Sequence, residues 1–146
     1  MIGSLCLPTR AVIIPSDAND LSRLNQEFNG GGQRPSTDII ESLNDSAELI
    51  AVAEIGGKVV GFGCAQSFRS FCYNGLQGEI TELYVSEAVR RKGIATSLIF
   101  YLEENLKKRG VKSVKVLTGR RNNAAIKTYE QCNFHQDDEL LLKKKL

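Results

Sequence analysis

Apolar positions along this chain recur with two periods, and the places where one gives way to the other mark out its elements. Residues 10–14, RAVII, closed by Pro15, predict a first strand. SDANDLSRLNQEFN carries Leu21, Leu24 and Phe28 at helical spacing behind Ser16 or Asp17 as N-cap. GGGQRP then ends that helix; three glycines in a row can cradle a phosphate, but no GK[ST] follows them. STDIIESLN predicts a second helix capped by Ser36 or Thr37. ELIAVAEIGGKVVGFGCAQSF reads as two strands joined at Gly56-Gly57, a hairpin signal between β-branched residues. GEITELYV (78–85) predicts a fourth strand. From Gly93 to Arg109 the positions Ile94, Leu98, Leu102 and Leu106 form one helical face, which Gly110 closes. VKSVKVLTG predicts a fifth strand, NNAAIKTYEQC a fourth helix, and FHQDDELLLKKK a last strand. The order β-α-α-β-β-β-α-β-α-β, without repeat or linker, predicts one mixed α+β domain over 1–146.

Bulk composition narrows the class. The chain has 146 residues, 42% hydrophobic and 25% charged, as expected of one globular domain. It has no apolar run near the ~20 residues of a spanning helix, and its N-terminus lacks a basic leader. The expectation is a cytoplasmic protein without membrane attachment. Cys6, Cys64, Cys72 and Cys132 form no CxxC pair and meet a single histidine, His135. No metal is therefore expected, and reduced, mostly buried thiols are. His135 reads as a structural or surface residue.

Charge changes the picture more. Residues 1–85 hold five Lys or Arg against ten Asp or Glu, a balance of −5; residues 86–146 hold fourteen against seven, a balance of +7. The basic half suggests an anionic partner, although solvated helix faces give the same balance. Its focus is Arg90-Arg91-Lys92-Gly93-Ile94-Ala95-Thr96, between a strand and a helix. A helix opening near Gly93 leaves its first N–H groups unpaired at the positive end of its dipole, and the small residues admit a close ligand. That arrangement suits a phosphate or pyrophosphate. The spacing fits neither GxGxxG nor the Walker loop.

The loop resembles the Q/R-x-x-G-x-G/A motif of the GNAT superfamily of acetyl-CoA-dependent N-acetyltransferases. Asn122-Asn123-Ala124-Ala125-Ile126-Lys127-Thr128-Tyr129 likewise resembles the family's N-x-x-A-x-x-x-Y helix. The family's following Gly-Phe stands here as Asn133-Phe134, and asparagine also tolerates the left-handed conformation. The resemblance spans nearly the whole chain. It implies a GNAT-like fold: a mostly antiparallel mixed sheet of six or seven strands, splayed between the fourth and fifth, flanked by four helices. Acetyl-CoA would be the co-substrate, with other acyl-CoA thioesters open. Backbone amides from Arg91 to Thr96 would hold its pyrophosphate, beside Arg90. Leu83, Tyr84 and Val85 would line the pantetheine arm, Leu83 N–H would donate to the thioester carbonyl, and Asn122 and Ala125 would also meet the coenzyme. Tyr129 would protonate the leaving thiolate; without the resemblance it reads as a core aromatic.

An amine acceptor must lose a proton before it attacks. Glu79 and Glu82, inside the fourth strand, are the candidates, with Glu79 preferred and a water relay open. Three residues apart, they point to opposite faces of a regular strand, which a bulge would change. The acidic first half (Asp17, Asp20, Glu27, Asp38, Glu41, Asp45) suits a cationic small molecule such as an aminoglycoside or polyamine. A protein or peptide amine and a non-catalytic acyl-CoA-binding module are the alternatives. No nucleic-acid fold is recognisable, and the resemblance leaves a homodimer open.

Overall fold

A computed structural model describes residues 9–11, 16–45 and 47–146. Its strands are β1 (Thr9–Ala11), β2 (Leu49–Ile55), β3 (Lys58–Arg69), β4 (Leu76–Val85) and β5 (Val111–Val116). Its helices are α1 (Asp17–Asn29), α2 (Ser36–Asp45), α3 (Ile94–Lys108) and α4 (Asn123–Gln131). The strands lie in chain order in one sheet, antiparallel from β1 to β4, with β5 parallel to β4. The predicted first strand, 10–14, falls partly outside the described residues.

The expectation of six or seven strands is corrected to five among the described residues. FHQDDELLLKKK forms none: the segment from His135 onward has neither helix nor strand, and Leu140, Leu142 and Leu146 stand out to solvent. A strand needs a ladder partner as well as apolar composition, and no described strand pairs with this one. The four helices are as expected.

Local chemistry accounts for most boundaries. Gly56 and Gly57, at φ 58° and 79°, make the two-residue turn between β2 and β3. Asn133, at φ 68°, takes the left-handed conformation expected of it, and the Phe134 N–H bonds back to the Tyr129 carbonyl at 3.0 Å. Ser16 precedes α1 but makes no side-chain cap; Asp17 is instead buried and clasped by Arg10 at 2.7 and 2.8 Å. The α2 helix starts at Ser36 itself, with the Pro35 carbonyl accepting from Asp38 N–H.

Two apolar layers sandwich the sheet. Against one face α3 buries Ile94, Leu98, Ile99, Leu102 and Leu106 on Ala51, Ala53, Ala65, Ile80 and Val85. Each such large side chain contributes roughly 1.5–3 kcal/mol. That face is glycine-rich: a Cβ at Gly61 would lie 3.4 Å from Leu98 Cδ1, and one at Gly63 only 2.8 Å from Leu102 Cδ1. On the other face α1 and α2 cover Val52, Val59, Phe62 and Cys64 with Leu21, Leu24, Ile39 and Leu43.

Candidate active site

The sheet opens where β4 leaves β5. Pairing runs from Leu76 opposite Val111 to Ile80 opposite Val116 and then stops, so among the described residues 81–85 have no strand neighbour on that side. The expected splay between fourth and fifth strands is therefore present. Ser86 N–H donates to the Val60 carbonyl on the β3 side at 2.8 Å. By alternation, the main-chain groups of Leu83 and Val85 face the open edge. The Val85 carbonyl accepts there from Arg90 Nε at 3.0 Å, and the Arg90 guanidinium lies 5.6 Å from the Tyr84 ring centre. Arg90 is thus committed to β4, although it is exposed like Arg91 and Lys92.

Gly93 precedes α3 at φ 77°, and Arg91 also has a positive φ, 65°. Two left-handed residues in three turn the chain sharply into the helix. The first helical bond is Ser97 N–H to the Gly93 carbonyl, 3.0 Å. The Ile94, Ala95 and Thr96 amides precede it, and Cβ at Gly93 would meet only open space. Backbone donors, exposed cations and a dipole end converge as an anion site requires.

Glu79 and Glu82 share one face of the sheet, because β4 carries the expected bulge. Cys64 pairs with Glu82, yet Ala65 pairs with Ile80, leaving Thr81 as the extra residue. Glu79 opposes Gln66, and Gln66 and Cys64 lie two apart on β3, hence on one face. Their surroundings differ. Glu79 lies 3.6 Å from Lys115 Nζ on β5. Burial, and then the neighbouring Glu48, push Glu82 above the usual carboxylate range. Thr81 Oγ1 donates to Glu48 Oε1 at 3.4 Å. Sequence reasoning missed Glu48 and Lys115. The first sits outside any motif, and the second becomes visible only once the parallel β4–β5 register is known.

Tyr129 is 8% exposed, packed edge-on against Phe134 with ring centres 5.5 Å apart. Burial pushes its hydroxyl up to about 12, with Cys132 and Glu82 adding to the rise. It lines a cleft of about 510 Å³ with Val114 and Val116 of β5, Ile126 of α4, and the chain beyond α4. Asn122 caps α4, its side-chain oxygen accepting from Ala125 N–H at 3.2 Å. His135 is exposed on the rim of that cleft. Among the described cysteines Cys64 is buried, Cys132 half-buried and Cys72 exposed, so the expectation of burial fails for Cys72. No cluster of metal-ligating side chains occurs among the described residues. No described helix is long and apolar enough to cross a membrane.

The acidic residues of the first half divide. Asp17 binds Arg10, Asp20 accepts from Val59 N–H, and Glu27 holds Arg23 and the Tyr84 hydroxyl. Asp38, Glu41 and Asp45 are exposed on α2.

Comparison with known proteins agrees with this layout. The model of the Acetyltransferase (GNAT) family matches residues 18–134. An acetyltransferase of Yersinia enterocolitica is 33% identical over 112 residues, covering 77% of this chain and 75% of its own. In fold, the chain is similar to an aminoglycoside acetyltransferase from an uncultured soil metagenomic sample, solved with sisomicin. That likeness has TM-score 0.81 and 18% identity, over 96% of this chain and 95% of the other. A ribosomal-protein-alanine N-acetyltransferase of Brucella melitensis aligns with TM-score 0.79 and 21% identity, over 95% and 99%.

Proposed function

This chain belongs to the GNAT family of acetyltransferases, and from that premise we propose that it moves the acetyl group of acetyl-CoA to a primary amine by direct attack in a ternary complex. Acetyl-CoA supplies the electrophilic thioester carbon. The observation that carries the reading is the pairing of a splayed β4 edge with the open first turn of α3. The amides of Ile94, Ala95 and Thr96, with Arg91 and Lys92, suit the pyrophosphate. Leu83 N–H, on the open edge, suits the thioester oxygen and would stabilise charge developing there. The Tyr129 hydroxyl, protonated throughout the neutral range, would give its proton to the departing thiolate.

For the base we choose Glu82 over Glu79, reversing the preference drawn from sequence. Glu79 is held by Lys115, whereas Glu82 makes no ion pair among the described residues and is pushed above the usual carboxylate range by burial and by Glu48. A carboxylate raised toward neutrality takes a proton from an ammonium group at smaller cost. The bulge presents both carboxylates to one face, where Glu82 would receive the amine. Exposed Asp38, Glu41 and Asp45 favour a cationic small-molecule acceptor. Release of CoA thiol over a panel of aminoglycosides, polyamines, N-terminal peptides and lysine peptides tests the reading. Turnover is expected with at least one amine, falling by ~10²-fold or more in Glu82→Gln. Absence of calorimetric binding of both acetyl-CoA and CoA to folded protein would overturn it.

A further inference from the structure

We propose that Glu48, which lies outside every motif of the chain, is a positioning residue for Glu82: it pins the β4 bulge through Thr81 and sets a second carboxylate against the first. The inference deepens the reading above and rests on it for the role of Glu82 as base.

The register brings the two glutamates together. Ile50, Cys64 and Glu82 form one row across β2, β3 and β4, and Glu48 immediately precedes β2, two residues before Ile50. Two residues along a strand return to the same face, so Glu48 lies on the face that carries Cys64 and Glu82. Glu48 therefore stands one diagonal step from Cys64 and Glu82, and its contact with the Thr81 hydroxyl at 3.4 Å brings it to the residue adjoining Glu82. The Cys64 thiol registers both: burial first, then Glu48, then Glu82 push it up. Glu48 is half-buried, which keeps its charge from being fully screened.

The contact with Thr81 gives Glu48 a structural role as well. Thr81 is the residue that the register leaves without a partner on β3, and its hydroxyl donates to Glu48 Oε1. A bulge is where a strand can slip by one residue, and a one-residue slip would turn Glu82 away from Cys64. The hydrogen bond from the bulged residue to the residue just before β2 opposes that slip. The same carboxylate stands close enough to Glu82 to disfavour its ionisation, which keeps it a stronger proton acceptor. Among the described residues, Glu82 lies opposite Cys64 of β3 and interacts electrostatically with Glu48 before β2 and with Tyr129 of α4. Along its own strand, Glu79 is taken by Lys115 of β5, and Tyr84 by Glu27 of α1.

Carbon-13 NMR titration of side-chain carboxyls in the full chain tests this without any acceptor, the Glu82 signal being assigned by its loss in Glu82→Gln. In Glu48→Gln, of equal shape, the Glu82 midpoint is expected to move to lower pH. An unmoved midpoint in a folded Glu48→Gln protein would overturn the proposal. Thr81→Val keeps both charges and removes the pin; amide exchange at 81 and 82 is expected to quicken about fivefold, the equivalent of one ~1 kcal/mol hydrogen bond. Unchanged exchange there would remove the pinning role. Should Glu48→Gln not fold, the wild-type titration decides: coupled carboxylates each register the other's ionisation, and two independent single-step curves refute the pairing. The pH profile of kcat/KM separates this inference from its premise. Retention of the acid limb in Glu82→Gln removes Glu82 as base, while the NMR midpoints still judge Glu48.

Discussion

Replacing Gly78 with alanine tests how the sheet is held just before β4 and β5 part. A Cβ there would stand 2.8 Å from Val114 Cγ2, 3.0 Å from Val111 Cγ1 and 3.3 Å from Leu106 Cδ1. Carbon atoms rest at about 3.5–4.0 Å, so the two closest contacts fall short by at least about half an ångström. Two of the three neighbours are valines, stiff about χ1, and Leu106 is 1% exposed, so there is little room to yield. Overpacking of this kind costs about 1–3 kcal/mol. Stiffening of the unfolded chain by alanine returns about 0.4–1 kcal/mol. The net expectation is a loss of about 1–2 kcal/mol, read as a fall of roughly 2–8 °C in Tm for a domain of this size. Urea unfolding of Gly78→Ala, Val114→Ala and the double variant supplies the decisive comparison. Val114→Ala removes the closest clash, so the double variant is expected to be at least ~1 kcal/mol more stable than the sum of the single effects. Additivity within ~0.5 kcal/mol, or a Gly78→Ala protein as stable as wild type, would refute the packing argument.

Other expectations follow from single contacts. Gly93→Val forces a β-branched residue to φ 77° and should weaken acetyl-CoA binding on the order of tenfold by calorimetry, because the α3 amides are re-aimed. Asn122→Ala removes the α4 cap and should lower stability by ~1 kcal/mol in urea, with Asn122→Asp retaining most of it. With Glu82, raised above the usual carboxylate range, as the proposed base, kcat/KM is expected to fall on acidification through a limb above the ordinary glutamate range. Thiol labelling followed by mass spectrometry should modify exposed Cys72 before half-buried Cys132, and buried Cys64 last.

How far the sequence was legible follows from what each feature depends on. The α3 face was readable because Ile94, Leu98, Leu102 and Leu106 answer to one local period, and all four are buried. The Gly56-Gly57 turn and the left-handed Asn133 were readable because backbone conformation there is a property of one or two residues. The bulge at Thr81 was foreseen only as a way to reconcile two glutamates. Its position depends on which β3 residue each β4 residue meets, and neither strand alone encodes that. For the same reason Lys115 and Glu48 stayed hidden, since both act across strands distant in sequence. The error over the last strand has the opposite origin. Leu140, Leu141 and Leu142 gave a strong local signal, but strand formation is decided by a partner edge. The acidic residues show the limit of counting charge: Asp17, Asp20 and Glu27 look available in a list and are already engaged by other groups of the fold.

Gly61, Gly63 and Gly78 lie beneath α3 like a worn channel beneath a rail, each holding open the space that a leucine or valine side chain fills. The height at which that rail rides decides where its front end sits relative to the parted strand. On the proposed reading, affinity for the coenzyme's diphosphate would therefore be retuned from the far side of the core, by adding one methyl group to the channel, with every residue of the basic loop left as it is.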